Sequence, residues 1–180
     1  EMWIHEVKIP IASLILITHN SKNDFQIRIK EQLKRIEDCV EQVLYYVRAE
    51  NASSDYYINE VNLQKVIQEV ALKNKDDLLE HNIEFLKENV SKTILTDSKW
   101  LVFIINQIIN NSIKYQDKSK KSFIKVSVLE ENKIIKLYII DNGIGIKEND
   151  LPRVFDKTFT GYNGRGSANS TGMGLFIVKN

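Results

Sequence analysis

The stretch LYIIDNGIGI, residues 137–146, passes from an apolar strand pattern directly into a turn with two glycines. A second glycine-rich stretch, STGMGL at residues 170–175, precedes the last apolar segment. All seven glycines of the 180-residue chain fall between Gly143 and Gly174. Glycine allows positive φ, which we expect at Gly143 and Gly145, and lets a ligand approach the backbone closely. The chain therefore places backbone without side chains only in this region.

The overall composition is that of an ordinary soluble globular chain, with 43% apolar and 27% charged residues. The net charge of +1 creates no strong field toward nucleic acid, so no nucleic-acid partner is expected. Cys39 is the only cysteine, which excludes an internal disulfide and favours a reducing compartment. No apolar run approaches the roughly 20 residues of a membrane span. The final GLFIVKN reads as a helix cut short, and we expect a truncated C-terminus.

The N-terminal third predicts a helical hairpin with a turn at THNSKND, residues 18–24. Its apolar residues recur at alternating steps of three and four, the seam of a coiled coil or bundle: Ile4, Val7, Ile11 and Leu14, then Ile29, Leu33, Ile36, Val40, Val43 and Val47. Two hairpins would form a homodimeric four-helix bundle, which we favour over a hairpin packed on its own second domain. We assign residues 1–52 to this domain.

The segment ENASSD, residues 50–55, breaks the helical pattern and marks a boundary. The remainder, residues 53–180, mixes helices and strands, which predicts an α/β sandwich with helices on one face of a sheet. Its main predicted elements are a helix near 62–79, a helix over 98–115 capped by Asp97 or Ser98, and one antiparallel pair of strands, FIKVSVLEE and KIIKLYIID, joined at Glu131–Asn132.

The two glycine stretches suit opposite ends of one nucleotide. Asp141, at a strand end, can accept a hydrogen bond from an exocyclic amine such as adenine N6. Gly172 and Gly174 open a helix, where free N–H groups and the helix dipole favour phosphate. Each stretch taken alone is equally consistent with a plain tight turn.

A third element is the polar sequence NQIINNSIKY, residues 106–115. On a helix, Gln107, Asn111 and either Lys114 or Tyr115 share one face. Amide oxygens suit Mg²⁺, which takes one or two protein ligands together with phosphate and water. The alternative is an exposed polar face, but the surrounding apolar residues indicate a mostly buried helix.

In this order and spacing the motifs resemble those of the sensor histidine kinases. NQIINNSIKY resembles the N-box, DNGIGI and STGMGL the two glycine boxes, VFDKTFTG the phenylalanine box and WIHEVKIP the H-box. The segment FTGYNGR is most similar to the small bacitracin- or cationic-peptide-sensing intramembrane kinases of Gram-positive bacteria. The resemblance implies a dimeric phosphoacceptor hairpin followed by an ATP-binding domain of the type shared with gyrase and the heat-shock 90 chaperones.

The resemblance also implies the residues that contact ATP and Mg²⁺. Asn111 would ligate the metal, with Gln107 as a second ligand. Residues 147–170 would form a mobile lid anchored by Phe155 and Phe159. The implied nucleotide contacts are Lys114 and Tyr115 beside phosphate and base, Asp141 at adenine, Thr171 near adenine, and Gly143, Gly145, Gly172, Gly174 and Leu175 in the nucleotide loops.

By the same resemblance, His5 would accept the phosphoryl group and the adjacent Glu6 would orient its ring or take its proton. The phosphoryl group would then pass to an aspartate on the receiver domain of a response regulator. Ile9 stands where many relatives carry threonine or asparagine to hold a water, so we expect weak phosphatase activity. The family further implies a cytoplasmic portion of a cell-membrane protein, with a membrane transporter as a partner of regions outside this chain.

Two other classes of function remain open. One is a nucleotide-driven conformational ATPase without phosphohistidine, although Gln107 stands where such enzymes need a water-activating acid. The other is a non-catalytic dimer scaffold that binds a partner through the hairpin.

Overall fold

A computed structural model of the chain describes residues 11, 12, 15, 24–50, 56–162 and 172–179. The chain divides into two compact units, with the boundary between Asp55 and Tyr56. The domains predicted from sequence, 1–52 and 53–180, place this boundary a few residues earlier.

The first unit contains one long helix, α1, Asp24–Glu50. No glycine or proline interrupts this segment, so the backbone hydrogen bonds continue for its whole length. Along the predicted seam, Leu33 is buried, whereas Ile36, Val43 and Val47 are 48%, 51% and 47% exposed. Residues 11, 12 and 15 are also helical, but the predicted turn before Asp24 lies outside the described residues. No helix in the described ranges is long and apolar enough to cross a lipid bilayer.

The second unit is built on a three-stranded sheet whose central strand pairs with both others. The strands are β2, Glu84–Glu88; β4, Phe123–Glu131; and β5, Ile134–Asp141. The β2–β4 pair is parallel and the β4–β5 pair is antiparallel. The β4–β5 turn is at Asn132 and Lys133, which both have positive φ, one position later than the sequence predicted.

A separate antiparallel pair joins β1, Asn59–Asn62, to β3, Thr93–Thr96. The prediction of one antiparallel pair in this domain was therefore incomplete. The helices of the unit are α2, Leu63–Lys73; α3, Lys75–Glu80; α4, Ser98–Lys114; and α5, Gly174–Lys179. A short 3-10 turn occupies Leu151–Arg153.

The core lies between α2, α4 and one face of the three-stranded sheet. Alternate residues of β4 point into it, as the period of a half-buried strand requires. The buried residues that form it are Val61, Leu63, Val66, Ile67, Val70, Leu78, Ile83, Val90, Ile105, Ile109, Ile113, Ile124, Val126 and Val128. The helices-on-one-face arrangement expected for the ATP-binding domain is therefore present.

The single helix predicted near 62–79 is two helices, because Asn74 interrupts it. The side-chain Nδ2 of Asn74 donates to the Val70 carbonyl at 2.9 Å and to Asn106 Oδ1 at 2.8 Å. Both asparagines are 2% exposed. A buried asparagine that bonds its own backbone ends the helix locally, and the partner in α4 stabilises the break.

Candidate nucleotide site

Helix α4 carries the polar N-box sequence and is fixed at both ends. Asp97 caps its start by accepting the N–H groups of Lys99 and Trp100 at 2.8 and 3.1 Å, so Asp97 and not Ser98 is the cap. At the other end, the N–H of the C-cap residue Tyr115 donates to the Asn111 carbonyl. The helix therefore presents the predicted site residues on a fixed frame.

The first glycine loop begins where β5 ends at Asp141. The next residue, Asn142, replaces the missing strand pairing with its side chain: Oδ1 accepts from the Phe123 N–H and Nδ2 donates to the Lys121 carbonyl, both at 2.9 Å. These two bonds attach the loop to the start of β4. They fix the direction in which the backbone leaves the sheet.

The Asp141 carboxylate is held from two sides. Its Oδ1 accepts the Gly143 N–H at 2.8 Å, and its Oδ2 accepts the hydroxyl of Ser112 at 3.0 Å. The Asp141 residue itself is exposed, whereas Ser112 is buried. The carboxylate therefore has a fixed orientation at the surface.

The loop also lies directly on the end of α4. The Ile144 N–H donates to the Tyr115 carbonyl at 3.0 Å. A Cβ on Gly143 would lie 2.5 Å from that same carbonyl oxygen. Glycine is required at this position because the Tyr115 carbonyl approaches closely, and not because φ is positive. The prediction of positive φ was therefore wrong for Gly143 and is confirmed for Gly145, which has a φ of +70°.

The second glycine loop packs on the phenylalanine box. The Thr158 N–H donates to the Gly172 carbonyl at 3.1 Å. Gly172 has a φ of +66°, and a Cβ there would collide with the backbone of Thr158 and Phe159. Two cation–π pairs join the same segments, Lys157 over Phe176 at 5.9 Å and Lys179 over Phe155 at 5.8 Å.

Gly174, the first residue of α5, faces α4. A Cβ on Gly174 would lie 2.6 Å from Oε1 of Gln107. The Gln107 side chain is buried, and its amide oxygen lies against the start of the last helix. This contact brings the second glycine loop onto the same helix as the first.

Asn111 lies between the two contacts on α4. At about 3.6 residues per turn, it is rotated about 40° from Gln107 and about 100° from Ser112, on the arc between them, and the Ser112 hydroxyl bonds Asp141 at the start of the first glycine loop. Gln107 contacts the second glycine loop and Tyr115 the first. The helix face centred on Asn111, which is half-buried, therefore lies between both glycine loops.

The predicted lid is described only as far as Tyr162. The Asp150 Oδ2 accepts the Tyr162 N–H at 2.7 Å, and Nζ of Lys147 lies 3.1 Å from the centre of the Tyr162 ring. Arg153 lies over the ring of Phe159 at 4.5 Å. These contacts fold residues 147–162 into a compact loop.

The remaining predicted residues have different outcomes. Lys114 is exposed, with Nζ 5.4 Å from the centre of the Tyr115 ring, and Leu175 is half-buried in α5. His5, Glu6, Ile9 and Thr171 lie outside the described residues. The sequence analysis did not identify Ser112 or Asn142 as residues that fix the site. Asn142 could have been recognised as a turn residue before the first glycine, but the helical pattern gave no signal for Ser112.

The donor set fits a magnesium ion held mainly by a nucleotide. Among the residues that the structure describes, no group of three or more His, Cys, Asp and Glu side chains could hold a metal. One amide oxygen from Asn111 matches the small number of protein ligands that Mg²⁺ takes beside phosphate. The amide oxygen of Gln107 is directed at Gly174, so it is poorly placed to act as a second ligand of Mg²⁺.

Comparison with protein families gives a match to the histidine kinase-, DNA gyrase B- and HSP90-like ATPase family over residues 96–180. Among curated proteins, the chain is 34% identical to the sensor histidine kinase YxdK of Bacillus subtilis, over 98% of this chain and 54% of that protein. It is 33% identical to the sensor protein BceS of Halalkalibacterium halodurans, covering 98% and 52%. It is 30% identical to the sensor protein kinase GraS of Staphylococcus aureus, covering 98% and 51%. The chain thus spans about half the length of these relatives.

Solved structures give the same fold. Full-length ShkA, crystallised in complex with AMPPNP, matches with a TM-score of 0.69 at 18% identity, over 99% of this chain and 39% of that chain. The Acinetobacter baumannii histidine kinase AdeS matches with a TM-score of 0.64 at 20% identity, over 97% and 83%. At these identities the likeness establishes the fold alone.

Proposed function

Because the chain belongs to the bacterial sensor histidine kinases, of the bacitracin-sensing type, we propose that it binds ATP and transfers the γ-phosphoryl group to its own His5. The observation that carries the proposal is the position of α4 between the two glycine loops. Tyr115 holds one loop and Gln107 meets the other, with Asn111 between them. This arrangement suits a ligand with a base at one end and phosphates at the other.

In this proposal, Asp141 recognises the adenine base. Its carboxylate is exposed and oriented, so it can accept a hydrogen bond from the exocyclic amine of adenine. The first glycine loop, with Gly143 and Gly145, provides the wall beside it. Tyr115 at the end of α4 adds an aromatic ring near the base.

The phosphates belong at the opposite loop. Gly172, Gly174 and Leu175 lie at the start of α5, where the helix dipole favours anionic oxygens. Lys114 supplies a positive charge from α4. Asn111 would hold Mg²⁺, which, when bound, neutralises charge on the phosphate oxygens.

The transfer step needs an accessible imidazole. A neutral nitrogen of His5 attacks the γ-phosphorus, the N–P bond forms, and the bond to the β–γ bridging oxygen breaks to release ADP. Glu6 accepts the ring proton. Positioning of the two groups supplies most of the rate enhancement, because this chemistry needs little covalent help from the protein.

Incubation with γ-³²P-labelled ATP tests the proposal. We expect label on the protein that is stable in base and lost in acid, as a phosphoramidate is. His5→Ala should abolish the label and leave ATP affinity unchanged, whereas the control His81→Ala should leave both unchanged. Equal labelling of the His5 variant would refute the assignment. The same assay separates the two other classes, because an ATPase would release phosphate without labelled protein and a scaffold would do neither.

Asn111→Asp tests the metal role. The substitution adds a negative charge beside the triphosphate, so labelling should fall by at least about tenfold. Asn110→Asp on the same helix is a matched control, because Asn110 is rotated about 100° away from Asn111. Equal activity of the two variants would remove Asn111 from the site.

We further propose that α1 forms a dimeric four-helix bundle with its hairpin partner and a second copy. The seam residues Ile36, Val43 and Val47 are about half exposed in the single chain and would be covered in the dimer. Cys39, exposed on the same helix, is a natural reporter. A bis-maleimide should cross-link two chains, and Val43→Glu should abolish the cross-link while Glu37→Gln should not. Cross-linking that survives Val43→Glu would refute the bundle.

The partners follow from the same proposal. A response regulator would take the phosphoryl group from His5 on an aspartate, and the full protein would act at the cell membrane with this part in the cytoplasm, beside a transporter contacted by other regions. Because Ile9 cannot hold a water for hydrolysis, the phosphorylated regulator should lose its phosphate no faster with this chain than alone. Accelerated loss would contradict that expectation.

A further inference from the structure

Ser112 lies next to Asn111 on α4, and its hydroxyl has two candidate acceptors. Its Oγ is 3.0 Å from Oδ2 of Asp141 and 3.1 Å from the carbonyl oxygen of Ile108, one turn earlier in the helix. The serine is 6% exposed, so water does not compete freely for the proton. A hydroxyl carries one proton and can donate to only one of these groups at a time.

The carboxylate is the stronger acceptor. A hydrogen bond to an ionised group is roughly twice as strong as one between neutral groups. Back-bonding to a helix carbonyl is a weak alternative that any buried helical serine has. The proton of Ser112 therefore belongs to Asp141, and this bond links the N-box helix to the residue at the end of β5.

This bond completes the fixation of the Asp141 carboxylate. Gly143 N–H holds Oδ1 and the Ser112 hydroxyl holds Oδ2, so rotation about the carboxylate axis would break one of the two bonds. Each carboxylate oxygen can accept about two hydrogen bonds. Both oxygens therefore retain capacity for an additional donor on the exposed side.

We propose that Ser112 is a positioning residue that sets the base specificity of the site, favouring a 6-amino purine over a 6-oxo purine. This inference rests on the proposed ATP-binding function. An amino group donates to the pinned carboxylate. A 6-oxo group turns a second acceptor toward it, and a carboxylate held by Ser112 and Gly143 cannot turn aside. Specificity arises from this unrelieved repulsion as well as from the hydrogen bond.

The test compares the binding of ATP and ITP to the full chain with Mg²⁺ by calorimetry, because hypoxanthine has a 6-oxo group, with a proton on N1, in place of the 6-amino group of adenine. The wild-type chain should prefer ATP by more than about tenfold, the value of one buried hydrogen bond. Ser112→Ala should weaken ATP binding by about fivefold to tenfold. It should not weaken ITP binding, because the released carboxylate can turn away from the 6-oxo group. Ser127→Ala, the same substitution on β4, should change neither affinity.

Two further variants separate a positioning role from a structural one. Ser112→Cys keeps the buried volume but supplies only a weak donor, so the ATP preference should fall without loss of folding. In an Asp141→Asn background the carboxylate is absent, and Ser112→Ala should then leave the ratio of ATP to ITP affinity unchanged.

The outcomes divide cleanly. Equal proportional loss of both nucleotides in Ser112→Ala, or an unchanged ATP preference in Ser112→Ala and Ser112→Cys, would overturn the inference while the proposed function stands. A wild-type chain that binds neither nucleotide would overturn the proposed function, and the inference with it.

Discussion

Replacement of Asp97 should destabilise the second unit more than any other single change at the start of α4. Its carboxylate uses both oxygens. The Oδ1 accepts the N–H groups of Lys99 and Trp100, and Oδ2 accepts the Tyr57 N–H at 2.9 Å. Asp97 therefore caps the helix and also ties it to the segment that leads into β1.

The two functions have separable magnitudes. Loss of an N-cap costs about 1 kcal/mol, and loss of a charged acceptor for a backbone N–H costs about 1.5–3 kcal/mol. Asp97→Ala removes both and should lower the free energy of unfolding by about 2–4 kcal/mol. Asp97→Asn keeps a capping oxygen but turns an NH₂ group toward the Tyr57 N–H, so it should lose about 1–2 kcal/mol.

The difference between wild type and Asp97→Asn should depend on pH. Burial raises the pKa of the Asp97 carboxyl, but the N–H donors of Tyr57, Trp100 and Lys99, with the Lys99 charge, outweigh it and lower the pKa below 3.8. A carboxyl whose pKa is depressed in the folded state stabilises the protein above its unfolded value, and this contribution is lost as the pH falls through the folded pKa. The stability gap should therefore be constant near neutral pH and shrink below about pH 4.

Urea unfolding followed by tryptophan fluorescence measures these effects. Trp100 packs on the rings of Tyr56 and Phe103, at centroid distances of 5.6 and 6.3 Å, and reports this region directly. A Trp3→Phe background leaves Trp100 as the only tryptophan. Ser98→Ala is the control and should change stability by less than about 0.5 kcal/mol. Equal effects of Asp97→Ala and Ser98→Ala, or a gap to Asp97→Asn that is as large at pH 3 as at pH 7, would refute the reasoning.

Four further substitutions follow from the contacts of the glycine loops and of the buried Asn74–Asn106 pair. In Gly172→Ala the added methyl group collides with backbone atoms at a position of positive φ, so ATP affinity should fall by at least about tenfold. In Gly174→Ala the methyl group meets only the end of a glutamine side chain, so the loss of ATP affinity should be smaller. Asn142→Ala removes two hydrogen bonds of the first glycine loop and should reduce both ATP affinity and stability, the latter by about 1–3 kcal/mol in urea unfolding. Asn74→Ala leaves Asn106 buried without its donor and should cost about 1–3 kcal/mol while ATP affinity measured by calorimetry stays within about twofold.

Each of these predictions has an experimental result that would contradict it. Equal ATP affinities for the Gly172 and Gly174 variants would mean that the backbone contact is not limiting. Retention of full stability by Asn142→Ala would mean that water replaces both bonds. A large loss of ATP affinity in Asn74→Ala would place the buried asparagine pair in the site rather than in the core.

The sequence was sufficient where local chemistry alone decides the structure. The capped helix over 98–115 formed as Ser98–Lys114, and FIKVSVLEE formed β4 because its alternation matches a half-buried strand. The order of the motifs located both glycine loops. The sequence failed where a distant partner decides. Asn74 reads as an ordinary polar position in an amphipathic helix, and only the structure shows that its side chain bonds both the Val70 carbonyl and the distant Asn106 where the helix breaks.

The same limit explains the errors in the site. Gly143 was expected to need positive φ because two glycines in a turn usually do, but it is the Tyr115 carbonyl from α4 that excludes a side chain. Ser112 carries no signal in a helical pattern, since a small residue at that position suits a buried helix equally well. Its role follows only from the end of β5 being placed beside it.

Helix α4 forms although it contains three asparagines, which have low helix propensity, because the burial of its isoleucines contributes more free energy than the asparagines cost. Its three asparagines cost about 0.6 kcal/mol each relative to alanine, roughly 2 kcal/mol in total. The opposing contribution comes from Ile105, Ile109 and Ile113, which are 0%, 0% and 7% exposed; each such burial contributes about 1.5–3 kcal/mol. The burial of the three isoleucines thus exceeds the cost of the three asparagines by several kcal/mol. The helix can therefore present Gln107, Asn111 and Ser112 toward the two glycine loops without depending on a ligand to form.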